Sequence, residues 1–285
     1  MGIADLVPGV SGGTVVFSLG LYEKLLNSIN TFRRLLASLI RFETTSAKIF
    51  FSQLDWFWII TLSFGALTGV FLFGNVIKNQ LESNPILVAS LFHGFVCAAV
   101  IFAYRSIGDK SKTQIAFIVS SATIVFIFLG IFDSQKMSEN GHIATWVFFI
   151  SGIVAICAML LPGISGSLIL IIMGLYQSIL TALVDVQISI IITFILGVIV
   201  GVFAFAKLIT WTLNKYYFYV MSILIGFMAG SLRILWPWPN GIDDAILGRP
   251  DNNILLAILF WFIGFLLIST MHLVSFKLIN NGSKN

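Results

Sequence analysis

Two stretches of this chain carry residue types that could do chemistry. One is Pro8-Gly9-Val10-Ser11-Gly12-Gly13-Thr14 and the other is Pro162-Gly163-Ile164-Ser165-Gly166-Ser167. Proline in apolar sequence breaks a helix. Serine can then cap the helix that follows, its hydroxyl oxygen accepting from a free backbone N–H, while glycine lets a ligand approach the main chain. A helix N-terminus carries about half a positive charge and attracts anions, phosphate above all. The sequence therefore predicts an anion site from Ser11, Gly12, Gly13 and Thr14 and another from Ser165, Gly166 and Ser167. Pro8, Gly9, Pro162 and Gly163 would shape the two turns. The plainer alternative is a pair of helix breaks that only permit tight packing.

Few ionisable groups accompany these stretches. Asp5 lies three residues before Pro8, and Met159 stands in the matching place of the second copy. It could cap the break, carry a coupling proton, bind Na⁺, or simply face solvent. His93, within an apolar run, is either an interior hydrogen-bonding group or part of a proton relay. Arg105 and Arg233 close matching runs, as snorkelling anchors or as guanidiniums that receive a phosphate headgroup. Ser11 and Ser165 have no repeated His and acid to activate them, so no hydrolytic site is expected. The glycines of the first stretch precede no lysine, so it is not a P-loop. No metal-ligand spacing is visible, and no cofactor is expected beyond a coupling H⁺ or Na⁺. Cys97 and Cys157 read as small apolar residues.

The elements that hold these residues must sit in lipid. Of 285 residues, 58% are hydrophobic and 10% charged, whereas a soluble domain carries about 25% charged residues. Spans of roughly 20 apolar residues are predicted at about 57–78, 85–105, 114–132, 187–209, 217–236 and 254–276. The segments 3–29 and 144–184 are apolar but interrupted, the second reading as helix 144–160, break 161–166 and helix 167–184. A break at membrane depth survives only where protein or a watery cavity satisfies the freed backbone groups. Both segments are therefore re-entrant candidates. Trp236 and Trp238 fit an interfacial belt, and the first residues lack the basic region of a cleavable signal.

The chain also repeats itself. At an offset of 154, residues 4–29 match 158–183 at ten of 26 positions, including Pro8/Pro162, Ser11/Ser165, Gly20/Gly174 and Tyr22/Tyr176. At an offset of 132, residues 58–73 match 190–205, and the match continues to Gly94/Gly226. The expected organisation is a first repeat at 1–135 and a second at 136–285, each a re-entrant hairpin plus three spans. An odd number of spans inverts the second half. On that arrangement Lys24, Arg33, Arg34, Arg41, Lys48, Arg105, Lys110, Lys112, Lys207, Lys215, Lys277 and Lys284 share one side. Lys78, Lys136, Arg233 and Arg249 lie on the other, with Asp243, Asp244 and Asp251. The bias predicts cytoplasmic termini, and inverted repeats with broken helices are a device of alternating-access transporters.

The motifs ADLVPGVSGGT, LGLYEKLL and MLLPGISGS…GLYQSIL resemble the bacterial polyprenyl-phosphate transporters of the PopT type over essentially the whole chain. The resemblance implies an all-α, polytopic protein of the bacterial cytoplasmic membrane. It implies a flippase that returns undecaprenyl phosphate from the outer to the inner leaflet for reuse in cell-wall synthesis. The motif residues carry over as Asp5, Pro8, Gly9, Ser11, Gly12, Gly13 and Thr14, then Pro162, Gly163, Ser165, Gly166 and Ser167. Relatives usually have a short helix before the first motif, whereas here three residues precede Ala4, so the first hairpin is expected to be either very short or truncated. Partners would be undecaprenyl phosphate and membrane lipids but no nucleic acid; the oligomeric state is open, a homodimer being one option. The alternatives are a transporter of another anion, with a site closed to lipid, and an intramembrane lipid-phosphate enzyme, with a clustered acid-base pair.

Overall fold

The structure, a computed structural model, describes residues 1–7, 10–108, 111–131, 144–239, 241–243, 247–250 and 253–282. Pro8, Gly9, Lys110, Lys136, Asp244, Asp251 and Lys284 lie outside the described residues, as do the side chains of Asp243 and Lys277. The fold is helical throughout the described residues. The first half contributes α1 (Gly2–Asp5), α2 (Gly12–Ser18), α3 (Tyr22–Ile40), α4 (Thr44–Gln53), α5 (Trp56–Ser83), α6 (Pro85–Ser106) and α7 (Lys112–Ile131). The second contributes α8 (Thr145–Leu160), α9 (Gly166–Ile172), α10 (Tyr176–Val184), α11 (Ile188–Ser231), a 3₁₀ turn (Gly241–Asp243) and α12 (Ile254–Gly282). Among the described residues five helices are long and apolar enough to cross a membrane, or six if the bent pair α9–α10 counts as one span. The chain is a multi-pass membrane protein.

Three segments differ from the sequence expectation. The helix expected at 167–184 is two helices, α9 and α10, bent by 107°. Gly174 adopts φ +68° there, and the N–H groups of Gly174 and Leu175 bond back to the carbonyls of Ile171 and Leu170. This is a Schellman ending, which needs a left-handed residue after the helix. The first copy ends identically: Gly20 at φ +72°, with Gly20 and Leu21 bonding back to Phe17 and Val16. The repeated Gly-Leu-Tyr is thus a helix stop followed by a new helix, and the helix after the first stop runs to Ile40 rather than ending near 29. The spans expected at 187–209 and 217–236 are two helical arms of α11, parted at a kink where Tyr216 leaves the helical conformation (φ −134°, ψ 42°), and the second arm stops at Ser231 rather than near 236. Trp238, expected at an interface, is buried in the protein.

Lipid tails are as apolar as leucine, so spans associate through close packing and hydrogen bonds rather than by escaping water. Glycines provide that packing here. A Cβ on Gly94 of α6 would collide with the Trp261 carbonyl of α12, and one on Gly264 with the Leu91 carbonyl of α6. A Cβ on Gly226 in the second arm of α11 would strike Ser121 and the Ile118 carbonyl of α7. Gly94 and Gly226 are matched positions of the repeat, and each seals a seam between one half and the other. In the first arm of α11, Gly197 and Gly201 seat against Phe149 and Ile153 of α8. Their counterparts behave differently: Gly69 meets Ile3, while Gly65 has nothing within 4 Å, and no residue of α5 is buried.

The central element is α2, buried along its whole length. It lies between two clusters, one around Tyr22, Ala99, Leu224 and Met228, the other around Val7, Val10, Phe92 and Leu235. Gly226→Leu and Gly94→Leu should each destabilise the purified protein by about 1–3 kcal/mol or more through overpacking. Gly65→Leu should leave thermal unfolding in detergent nearly unchanged. Equal melting temperatures for all three would contradict the seam assignment.

Candidate functional site

The two motifs meet in the interior. Ser11, the N-cap of α2 (φ −123°, ψ 135°), accepts from the Gly13 N–H at 3.1 Å. Its own hydroxyl donates to the Met159 carbonyl at the end of α8, also at 3.1 Å. The Gly163 N–H donates to Thr14 Oγ1 at 2.9 Å, and the Tyr22 hydroxyl donates to the Leu160 carbonyl at 2.9 Å. Three side chains of the first motif therefore satisfy main-chain groups freed by the second break. Ser11 and Thr14 are each 1% exposed, so these bonds replace solvation that the buried backbone would otherwise lack.

The first helix terminus is already occupied from within. Asp5 Oδ1 accepts from the Gly12 N–H at 2.6 Å, Ser11 Oγ takes Gly13, and the Ser11 carbonyl takes Thr14 at 2.9 Å. Any side chain at Gly12 would collide with the Asp5 carboxylate. A carboxylate on the first amides of a helix is favourable both as a charge-assisted hydrogen bond and through the helix dipole.

The second terminus is arranged differently. Ser165 has the backbone of an N-cap (φ −93°, ψ 129°), yet its side chain does not cap; Ser165 Oγ and Ser167 Oγ pair with each other at 2.8 Å. Among the described residues the N–H groups of Gly166, Ser167 and Leu168 meet no acceptor. Met159, standing where the first copy has Asp5, offers no side-chain acceptor. The expectation that Ser11 and Ser165 both cap thus holds for Ser11 alone. Gly163, at φ +87°, lies against the backbone of Met228. It also lines an apolar cavity of about 60 Å³, with Ile164, Leu168, Val125, Ser231 and Ile234.

The other candidates lie away from this contact. Arg105 is exposed on the last turn of α6. Arg233 follows α11, its guanidinium 4.7 Å from the centre of the Phe126 ring and against Gly130 of α7. His93 Nδ1 accepts from the Trp261 indole at 3.0 Å and lies 3.6 Å from Cys97 Sγ. Indole nitrogen only donates, so Nδ1 holds the lone pair and the proton of the neutral ring is on Nε2. At the base of α5, Lys24 bonds to Asp55 at 2.7 Å and holds that carboxyl below the usual carboxylate range.

Sequence reasoning missed the residues that clamp α2. Tyr22 was visible as a repeated residue, but its bond to Leu160 depends on where α3 starts. His272 Nδ1 lies 2.8 Å from the Ser18 carbonyl, and Ser275 Oγ donates to the Leu19 carbonyl at 3.1 Å. These α12 groups cap the C-terminus of α2 from more than 250 residues away, and nothing local announces such a pairing.

Comparison with known proteins identifies the family. A polyprenyl-phosphate transporter of Vibrio cholerae is 34% identical over 245 residues, which are 85% of this chain and 77% of that protein. A polyprenyl-phosphate transporter of Staphylococcus aureus is 27% identical, over 95% of this chain and 92% of its own length. No solved structure matches the chain. Residues 1–247, which include both motifs as well as Gly94 and Gly226, match the undecaprenyl phosphate translocase-like family, and the chain belongs to that family of transporters, not enzymes.

Proposed function

We propose that this protein carries undecaprenyl phosphate from the outer to the inner leaflet of the bacterial cytoplasmic membrane, by alternating access between two inverted halves. The observation that carries the reading is the direct contact of the two breaks, Thr14 with Gly163 and Ser11 with Met159. A headgroup that reaches one motif is thereby delivered beside the other. The names of the relatives support a polyprenyl phosphate as cargo. The charge bias of the sequence supports cytoplasmic termini.

In this reading the phosphate is received first where amides are free, at Gly166, Ser167 and Leu168, with the Ser165 and Ser167 hydroxyls as further donors. The prenyl tail stays in lipid, and Arg105 and Arg233 attract the anion at the two mouths. Passage to the first motif requires the Gly12 amide, which Asp5 holds. The phosphate must displace that carboxylate, and a proton or Na⁺ bound to Asp5 lowers the barrier by removing the competing charge. This assigns coupling to Asp5. His93, whose Nδ1 is already engaged by Trp261, serves the packing of α6 on α12.

Reconstitution of the purified chain in liposomes, with undecaprenyl phosphate followed between leaflets, tests the cargo. Movement of that lipid is expected, whereas transport only of unrelated ions would overturn the reading. Asp5→Asn should keep exchange of the lipid while losing its response to an imposed pH or Na⁺ gradient. A gradient response equal to wild type would remove Asp5 from coupling. Thr14→Val leaves the Gly163 N–H without an acceptor, a loss of about 1–3 kcal/mol, and should lower both the melting temperature and the transport rate.

A further inference from the structure

Segment 22–55 forms a helical hairpin, α3 and α4, that the transport reading does not use. One face is packed. Asn30 Nδ2 donates to the Ala206 carbonyl and to Thr210 Oγ1 of α11, and Leu35, Ala47 and Leu54 form a small core against Trp56 at the base of α5. The opposite face mixes two kinds of residue. Arg34, Arg41 and Lys48 are exposed and meet no carboxylate within ion-pair distance among the described residues. Beside them Leu39, Ile40, Phe42, Ile49 and Phe51 are exposed as well. Arg33 Nε is buried with no hydrogen-bond partner.

Water does not suit a short hairpin that exposes five large apolar side chains. A membrane span does not suit it either, because Arg33 and Arg34 lie in the middle of α3. The boundary between headgroups and acyl chains suits both, as for amphipathic helices that lie in the plane of a bilayer. The tip of the hairpin adds an independent observation. Phe42 N–H bonds to the Leu39 carbonyl and Glu43 N–H to the Ser38 carbonyl, the same Schellman ending that uses Gly20 and Gly174 elsewhere in the chain. Here the left-handed residue is Phe42, at φ +57° and 88% exposed. A bulky side chain is unfavourable in that conformation, and Phe42 makes no packing contact to offset it. The strain presents an aromatic ring outward beside Arg41.

We propose that the α3–α4 hairpin is an anionic-lipid-binding surface: it lies in the bilayer plane with Arg34, Arg41 and Lys48 on phospholipid phosphates and Ile40 and Phe42 in the acyl boundary. The charge complementarity is to the headgroups of acidic phospholipid, not to a protein. Because α3 begins at Tyr22, the surface is joined rigidly to the bond that Tyr22 makes with Leu160 at the motif contact.

The test uses the full chain with Cys97→Ser and Cys157→Ser, a nitroxide on Phe42→Cys, and reconstitution into vesicles with or without phosphatidylglycerol. In phosphatidylglycerol the label is expected to collide with oxygen in preference to a water-soluble nickel chelate. In phosphatidylcholine alone, or with Arg34→Gln, Arg41→Gln and Lys48→Gln together, nickel accessibility should rise at least about tenfold. These substituted groups are exposed, so the variant should fold, which an unchanged melting temperature verifies. Equal insertion in both lipids would overturn the headgroup assignment. Full nickel access in both would overturn the membrane assignment, and spin–spin broadening without lipid dependence would assign the face to a second copy of this chain.

Discussion

The governing constraint is that a helix broken inside a bilayer leaves main-chain groups that water cannot reach. Each such group costs several kcal/mol if left unpaired, and two breaks multiply the demand. This protein meets much of it by setting the breaks against each other. Ser11, Thr14 and Tyr22 each give one side-chain bond to the backbone between Met159 and Gly163. The burial of α2, the packing of Gly163 against Met228 and the reach of α12 to the end of α2 all follow from keeping that contact dry. In a medium where apolar side chains gain little by leaving lipid, such bonds and the glycine seams carry the specificity of the fold.

The two motifs share a backbone but not a set of partners. Both helices stop with the same glycine in the same left-handed conformation, so their main-chain path is dictated by repeated residues. Their starts are decided by unrepeated ones. Asp5 closes the first helix terminus, whereas Met159 leaves the second without an internal anion and Ser165 turns to Ser167. On the proposed reading, a duplicated scaffold with unequal side chains would give two sites of unlike affinity, so that a headgroup would rest at one in preference to the other. Perfect symmetry would provide the path but no preference along it.

The architecture was legible wherever a signal is local. Runs of apolar residues marked the spans, Pro-Gly marked the breaks, and Ser11 marked a cap. The stop at Gly174 was also local, but the apolar run on both sides hid it, because hydrophobicity does not change where a helix turns through 107°. The break at Tyr216 was legible, since Lys215 and the neighbouring tyrosines interrupt the apolar run between the two spans. Partners distant in sequence were not legible. Nothing in the order of residues says that His272 faces Ser18, or that Trp261 rather than a carboxylate engages His93. The failed capping by Ser165 shows the same limit at short range: a cap is a conformation plus a competition, and Ser167 wins the competition.

The repeat also separates what must stay fixed from what is free to move. Gly94 and Gly226 hold α6 to α12 and α7 to α11 with backbone against backbone, contacts too close to slide without steric collision. In the second half α8 is locked in the same way on Gly197 and Gly201. Among the described residues of the first half, Gly69 meets Ile3 and Gly2 of α1 sits on the Ala66 carbonyl of α5, while Gly65 faces open space and α5 buries no residue. Closely packed interfaces are bistable rather than continuously deformable, so motion is carried by the elements held least. Here that is α5, the long helix that buries no residue; α1, which bears Asp5, is seated on it through Gly2 and Ala66. On the proposed reading, a change at Asp5 would pass to α5 through that seat and leave the Gly94 and Gly226 seams undisturbed.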